Sequence, residues 1–301
     1  MTLVTGATGF VGSHLVKRLA SSGRPVRALA RNLEKARKLF GGSEGAPLPN
    51  IDLAQGDVGD RESLIRAAQG CEAVVHLVGI IQPAPGQSFL SIHVEGTRNV
   101  LDAALKAVTV KHFVYQSALG TREDAKSEYH KTKYMAEEMT RSSGLDWTIT
   151  RPSIIYGPGD EFTLRMKSLI SLPLPFIPLL GSGKGLFQPV YIDDLAEALA
   201  KITGEPEFHG KITELCGPRQ LTLDEVVLEI ASVLGKKKSI MHIPVPFASP
   251  AVMAMEAILP KPPVTLDQLL MLGEDNVCGT NCMTELGIAP IDFRDGLRKF
   301  L

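Results

Sequence analysis

The sequence predicts an α/β protein built on a doubly wound parallel sheet, with a smaller C-terminal domain. Three observations predict it. Short β-branched runs alternate with longer amphipathic runs through the first half of the chain, a glycine-spaced turn opens the first amphipathic run, and the alternation fades into a proline- and glycine-dense stretch near Gly159.

The elements follow in order. "TLVT" is the first strand and "FVGSHLVKRLASSG" the first helix; "PVRALA" and "LEKARKLF", then "IDLAQGD" and "RESLIRAAQG", form the next two pairs. "EAVVHLVG" and "FLSIHVEGTRNVLDAALKA", then "KHFVYQS" and "SEYHKTKYMAEEMTRSSG", continue the rhythm, and "DWTITR" is the sixth strand. Strands whose runs are apolar on both sides belong to a sheet covered by helices on both faces. The expected division is residues 1–158 and 159–301, with the segments 187–203 and 211–216 returning to the first domain. Neither an internal repeat nor a low-complexity tail is present.

Composition narrows the partners. The chain has 301 residues, 44% of them hydrophobic, and its 32 basic against 33 acidic residues leave a net charge of −1. That balance gives no electrostatic reason to expect nucleic acid or an anionic membrane, so a small molecule is the expected partner. Prolines interrupt the two most apolar late stretches, "LISLPLPFIPLL" and "PVPFASPAVMAMEAILP", so no membrane-spanning segment is expected. "MTLVTG" carries no basic leader, and a cytoplasmic location is expected. Cys71, Cys216, Cys278 and Cys282 are too scattered for a disulfide framework; they read as buried or idle thiols, and the C-x3-C pair lacks the companions of a metal site.

The turn "TGATGFVG" places Gly6, Thr8, Gly9, Phe10, Val11 and Gly12 between the first strand and the first helix. Glycine allows strained backbone angles and close approach of a ligand, and free amides at a helix start attract a pyrophosphate, so this is a dinucleotide cradle. The competing reading is a structural tight turn. At the end of the second strand, where an acid would hold ribose hydroxyls, the chain has Arg31. A guanidinium pairs with a 2′-phosphate, which favours NADP(H) over NAD(H) unless Arg31 is only a surface charge. Asp57 and Val58, after the third strand, are candidates for the adenine end; Leu77, Val78 and Gly79, after the fourth, are placed beneath the cofactor.

"YHKTK" sets Tyr129 and Lys133 four residues apart near the start of a helix, on one face. A nearby ammonium would lower the phenol's pKa and allow proton exchange, with Ser117 at the end of strand five orienting a carbonyl or alcohol oxygen. The competing reading is a solvated tyrosine and lysine.

These motifs, with "GDV", "VVHLVG", "VEGTRNVL", "YQSALG", "RPSIIYGPG" and "QPVYIDDLAEAL", resemble the extended or atypical short-chain dehydrogenases/reductases, the epimerase/dehydratase-like type. Within them the chain looks most like the group related to the nucleotide-binding accessory subunit of respiratory complex I. The resemblance implies a Rossmann fold, a substrate-binding second domain, Ser117, Tyr129 and Lys133 as the catalytic set, and Pro152 in "RPS" beside the nicotinamide. It implies an NADP(H)-dependent oxidoreductase or epimerase/dehydratase acting on a small, possibly hydrophobic carbonyl or alcohol. The alternative is an NADPH-binding sensor or assembly protein without turnover.

Two departures from the family stand out. Only 11 residues separate Ser117 from Tyr129, too few for the usual sugar-nucleotide loop, and His93 stands where asparagine is common. His93 reads as structural. "GSGKG" (181–185) is read as a loop bordering the substrate cleft, Asp193 and Asp194 as helix caps, and "KKK" (236–238) as a solvated helix end. Phe176, Phe187, Tyr191 and the segment near Phe247 either line an apolar pocket or form the second domain's core. Helices 89–107 and 127–143 either pair between subunits, in a homodimer or larger assembly, or remain solvated.

Overall fold

The computed structural model describes residues 1–41 and 48–301. β1 (Thr2–Thr5), α1 (Phe10–Ser21), β2 (Val26–Ala30), α2 (Leu33–Phe40), β3 (Ile51–Gln55), α3 (Arg61–Ala68), β4 (Ala73–His76), α4 (Gly96–Lys106), β5 (His112–Gln116), α5 (Glu128–Arg141) and β6 (Asp146–Pro152) follow the predicted alternation. Beyond them come β7 (Ile155–Tyr156), α6 (Glu161–Ile170), β8 (Phe176–Leu180), β9 (Leu186–Phe187), β10 (Val190–Tyr191) and α7 (Ile192–Ile202). The chain ends with β11 (Lys211–Leu215), β12 (Leu221–Thr222), α8 (Leu223–Val233), β13 (Ser239–Ile243), α9 (Val245–Ile258), α10 (Leu266–Leu272) and α11 (Phe293–Leu297).

Seven strands form one parallel Rossmann sheet in the order β3-β2-β1-β4-β5-β6-β11. The chain leaves β1 in one direction and β4 in the other, so a crevice opens above their C-terminal ends, where open α/β sheets bind ligands. Val4, Leu15, Leu19, Leu195 and Leu199 pack α1 and α7 on one face, and Leu64, Val100, Phe113 and Ala136 pack α3, α4 and α5 on the other. Burying both faces requires partners for the few polar residues inside. His76 of β4 meets them: its Nδ1 lies 2.6 Å from Thr5 Oγ1 in β1 and its Nε2 lies 3.0 Å from Thr97 Oγ1 in α4. Thr97 donates its own proton to the His93 carbonyl, so His76 Nε2–H is the donor to Thr97 and Thr5 donates to Nδ1. Burial holds this histidine at about 3, neutral across the physiological range.

A third core, including Ile177, Phe187, Tyr191, Val226 and Phe293, belongs to the C-terminal segment. Phe187 and Tyr191 are therefore packing residues, Phe176 is half-buried, and Phe247 is 80% exposed on α9. No helix among the described residues is long and apolar enough to cross a membrane.

Several expectations are corrected. Tyr191, with no side-chain cap, occupies the start of α7, so Asp193 and Asp194 lie inside its first turn. There they tie other elements: Asp194 accepts from the Ile291 amide at 2.8 Å, and Asp193 contacts His14 at 2.8 Å. Lys238 is not simply solvated, because it donates to the carbonyls of Ile170 and Leu172 at 2.8 and 2.6 Å. The predicted helix 89–107 begins as a π-helical turn, Leu90–Glu95, before α4. Cys71 and Cys282 are free and buried, but Cys216 and Cys278 form a disulfide with a Cα–Cα distance of 6.2 Å. The pairing is non-local: the segment after α10 runs back along the end of β11, held by Cys282 N–H to the Glu214 carbonyl at 2.9 Å and Asn281 Nδ2 to the Cys216 carbonyl at 3.0 Å.

The two cysteines are 62 positions apart. Closing a loop of that size restricts the unfolded chain, so Cys278→Ser is expected to lower stability by roughly 2–4 kcal/mol. Denaturant unfolding of the variant against the parent measures this; four titratable thiols in the unreduced, denatured parent would show the bond does not form.

Candidate functional site

The glycine turn sits at the C-terminal end of β1. Gly6 takes φ +72°, and a Cβ on it would press on the backbone of Leu77 and Val78 at 3.2 Å, so the first and fourth strand ends close on one another there. A Cβ on Gly12 would run into the Gly6 carbonyl and lie 2.8 Å from Ala7 Cα, both backbone groups that cannot yield. Asn32, Asp60, Ser127, Asp160 and Thr222 cap α2, α3, α5, α6 and α8 with side-chain oxygens. At α1 the cap is Gly9, which has no side chain, leaving the amides of Phe10, Val11 and Gly12 without one. An uncapped helix start behind a turn that tolerates no Cβ fits a pyrophosphate. Thr8 lies half-buried in the turn, while Phe10 and Val11 pack onto the third core and tie the turn to the C-terminal segment.

Beyond the C-terminal ends of β2 and β3, Arg31 and Asp57 lie 3.7 Å apart. With Gln55, Gly56, Asp60, Ser63 and Arg66 they line an open depression of about 400 Å³. The Arg31 side chain is 71% exposed, and Asp57 accepts from the Gly59 amide at 2.7 Å. Val58 is buried, its carbonyl holding Asn99 Nδ2 at 2.9 Å.

At the other end of the crevice, Lys133 projects from α5 beneath the turn after β4. Its Nζ donates to the Gln116 carbonyl at 2.9 Å, lies 4.9 Å from the centre of the Tyr115 ring, and would sit 3.1 Å from a Cβ on Gly79. Burial lowers its pKa to about 8 against the partial support of Glu137 one turn on. Glu137 is itself fully buried and takes two bonds from Arg151, at 2.9 and 2.6 Å, which pins α5 to β6. The Tyr129 ring packs edge-on against His93 and Phe89, with centroids 5.4 and 6.0 Å away. Lowering of the phenol's pKa by Lys133 is not found, because burial dominates and pushes it up to about 12.

His93 is a fixed strut. The Ile80 amide donates to its Nε2 at 3.1 Å, so the neutral ring carries its proton on Nδ1 and donates to Thr132 Oγ1 at 2.9 Å. Burial and the Lys133 charge depress it to about 2. The π-helical turn at Leu90–Glu95 carries this histidine, which joins the turn after β4 to α5.

The structure thus gathers Gly79, His93, Tyr129 and Lys133, with Ser117 immediately after the Gln116 carbonyl. It does not join Ser117 to Tyr129: Ser117 is buried and donates to Thr121 Oγ1 at 3.2 Å. Among the described residues no protein group bonds the Tyr129 hydroxyl. Pro152 closes β6 in the core beside this end, and its carbonyl accepts from the Leu119 amide at 3.1 Å. Sequence reasoning missed Thr121, Thr132 and Glu137. Only Glu137 left a signal, at helical spacing from Lys133.

Lys133 titrates at about 8 in the folded chain and near its ordinary 10.5 when unfolded. Between those values the unfolded chain holds the extra proton, so this group's contribution to stability rises with pH. Lys133→Met is expected to stabilise the cofactor-free protein by about 1–3 kcal/mol at pH 7, an advantage that shrinks from pH 8 to 10.5. Denaturant unfolding across that range checks this, and a less stable methionine variant at pH 7 would contradict it.

Comparison with known proteins agrees with this geometry. Residues 6–165 match the model of the family described as NAD(P)H-binding. A ceramide reductase of Caulobacter vibrioides is 30% identical over 245 residues, spanning 81% of this chain and 73% of that protein. The mitochondrial NADH-ubiquinone oxidoreductase 40 kDa subunit of Neurospora crassa is 25% identical over 301 residues, spanning 99% and 78%. The solved NADPH-dependent quinone oxidoreductase of Escherichia coli, complexed with NADPH, shares the fold with a TM-score of 0.76 at 21% identity, over 99% of each chain. The chain belongs to the NAD(P)H-binding family, in the extended short-chain dehydrogenase/reductase type, and is related to mitochondrial complex I subunits.

Proposed function

We propose that this protein is an NADPH-dependent reductase of a small apolar carbonyl compound. The observation that carries the reading is Lys133: a buried ammonium under the Gly79 turn, one helical turn from Tyr129, with one of its three donors used on the Gln116 carbonyl. Its remaining donors suit the hydroxyls of a nicotinamide ribose. When bound, the nicotinamide supplies a hydride to the carbonyl carbon. Tyr129 would give its phenolic proton to the carbonyl oxygen, while Lys133 would hold the nicotinamide ribose. Ser117 turns its hydroxyl from Thr121 to the same oxygen. A Tyr129 hydroxyl without a protein partner leaves its proton available for a substrate.

Arg31, exposed at the adenosine end, supports a 2′-phosphate and hence NADPH. The name of the Caulobacter relative and the exposed Ile81 on the loop beside the site support an apolar substrate. The short Ser117–Tyr129 connection argues against a sugar nucleotide.

A second reading, an NADPH-binding protein without turnover, draws on the relation to the complex I subunit and on Ser117 being occupied with Thr121. The two separate by experiment. NADPH and NADH are titrated into the protein, followed by nicotinamide-absorbance assays with an aliphatic aldehyde, an aromatic ketone and a quinone. Tyr129→Phe is expected to lower kcat by about 10²–10⁴ with the Kd for NADPH unchanged. Tight NADPH binding with no turnover on the panel would favour the second reading. Arg31→Ala is expected to weaken NADPH about 10- to 100-fold and NADH little, since a charge-assisted bond contributes roughly 1.5–3 kcal/mol. Equal losses for both would remove the assigned preference.

A further inference from the structure

The helix that carries Tyr129 and Lys133 begins in an unusual way. The side chain of Ser127, its cap, accepts only from the His130 amide, at 3.2 Å. The two amides before it belong to Glu128 and Tyr129, and both are taken by one carboxylate from the far end of the chain: Asp267 Oδ1 accepts from Glu128 N–H at 2.6 Å and Oδ2 from Tyr129 N–H at 3.2 Å. The first amides of a helix have no partner within it, and an anion there is favoured by the helix dipole as well as by the bonds.

Asp267 is held firmly enough to act as a reference point. It lies in the first turn of α10, whose start is locked by a reciprocal capping box between Thr265 and Gln268. The same arm grips the loop that follows β4. Gln82 Nε2 donates to the Pro262 carbonyl at 3.1 Å, and Gln268 Nε2 reaches the Ile81 carbonyl at 3.5 Å. Ile80, one residue earlier, donates to His93, against which the Tyr129 ring packs. The C-terminal arm therefore holds the backbone of Tyr129 directly and approaches its ring by way of the loop.

We infer that Asp267 is a positioning residue for Tyr129: it sets the height and direction of the first turn of α5, and so where the phenol meets a substrate oxygen. Lys133 lies a full turn further along and is fixed independently by Gln116. Loss of the carboxylate should thus displace the phenol while leaving the lysine and the pyrophosphate cradle in place. This inference rests on the proposed reductase reading.

The test compares the parent with Asp267→Ala and Asp267→Asn, the latter retaining one acceptor. With the aldehyde, ketone or quinone that the parent reduces, Asp267→Ala is expected to lower kcat by roughly tenfold to a hundredfold, the scale set by small misplacements of a reacting group. The Kd and KM for NADPH should not move, and Asp267→Asn should recover part of the loss. Hydrogen exchange at the amides of Glu128 and Tyr129 should quicken in Asp267→Ala. Unchanged kcat, or kcat falling in step with NADPH affinity, would overturn the assignment. If the parent turns over nothing on the panel, the reductase reading fails by itself; exchange at the two amides then judges Asp267, and unchanged exchange overturns it.

Discussion

Burial of the Lys133 ammonium constrains everything around it. A charge removed from water must find bonds or opposite charge nearby; three neighbours supply them and a fourth leaves room. The Gln116 carbonyl takes a hydrogen bond, the Tyr115 ring faces the ammonium, Glu137 supplies negative charge from one turn away, and Gly79 makes room by lacking a Cβ. The positive charge also dictates the state of its neighbours. His93 and His76 are both pushed below their ordinary range, first by burial and then by Lys133, so neither adds a second cation to the same interior. As neutral rings they bridge hydroxyls and amides between strands and helices. One buried charge is thus matched by a glycine that leaves it room and an internal carboxylate held by Arg151, and it adds to the burial that keeps two histidines neutral.

The crevice at the reversal of strand order has its two ends built differently. At the β1 end the backbone does the work, through a glycine turn that admits no side chain and an uncapped helix start. At the β5 end side chains do it, and they depend on parts of the chain remote in sequence. Ser153 donates to Asn276, Arg122 forms a two-pronged bond to Glu274 at 2.9 and 2.8 Å, and Asp267 caps α5. The arm from Pro262 to Cys282 forms one border of the site from α5 round to the disulfide.

The unequal construction explains what was legible in the sequence. Each βα unit of the sheet is a local event, so glycine spacing, β-branched runs and helical periodicity located β1 to β6 and the cradle. The placing of Tyr129 and Lys133 on one helix was legible for the same reason, since both lie within a single local element. The failures are all non-local or energetic. The Cys216–Cys278 bond and the Asp267 cap join positions 62 and 138 or more apart, and spacing carries no trace of either. Asp193 and Asp194 were assigned to the helix start because aspartate favours it, but bonds to His14 and Ile291 draw them outward while Tyr191 occupies the cap. The π-helical turn at His93 escaped because its apolar pattern is also that of an α-helix. Burial reversed the direction of the Tyr129 shift, and a sequence does not report how deeply a phenol will sit.

That reversal bears on the direction of the proposed chemistry. A phenol lowered toward neutrality would exchange protons freely and serve oxidation and reduction alike. Tyr129 instead sits at about 12 and Lys133 at about 8, so near pH 7 both are protonated. Tyr129 is then a protonated phenol one helical turn before Lys133. Reduction of a carbonyl needs that state, because the oxygen must gain a proton as the carbon gains hydride. Oxidation of an alcohol would begin from phenolate, which burial disfavours. In the proposed reaction a substrate oxygen would meet the unpartnered hydroxyl, and the negative charge developing on that oxygen would draw the proton across. A phenol that is protonated at neutral pH suits the proposed reduction, in which it would act as the acid.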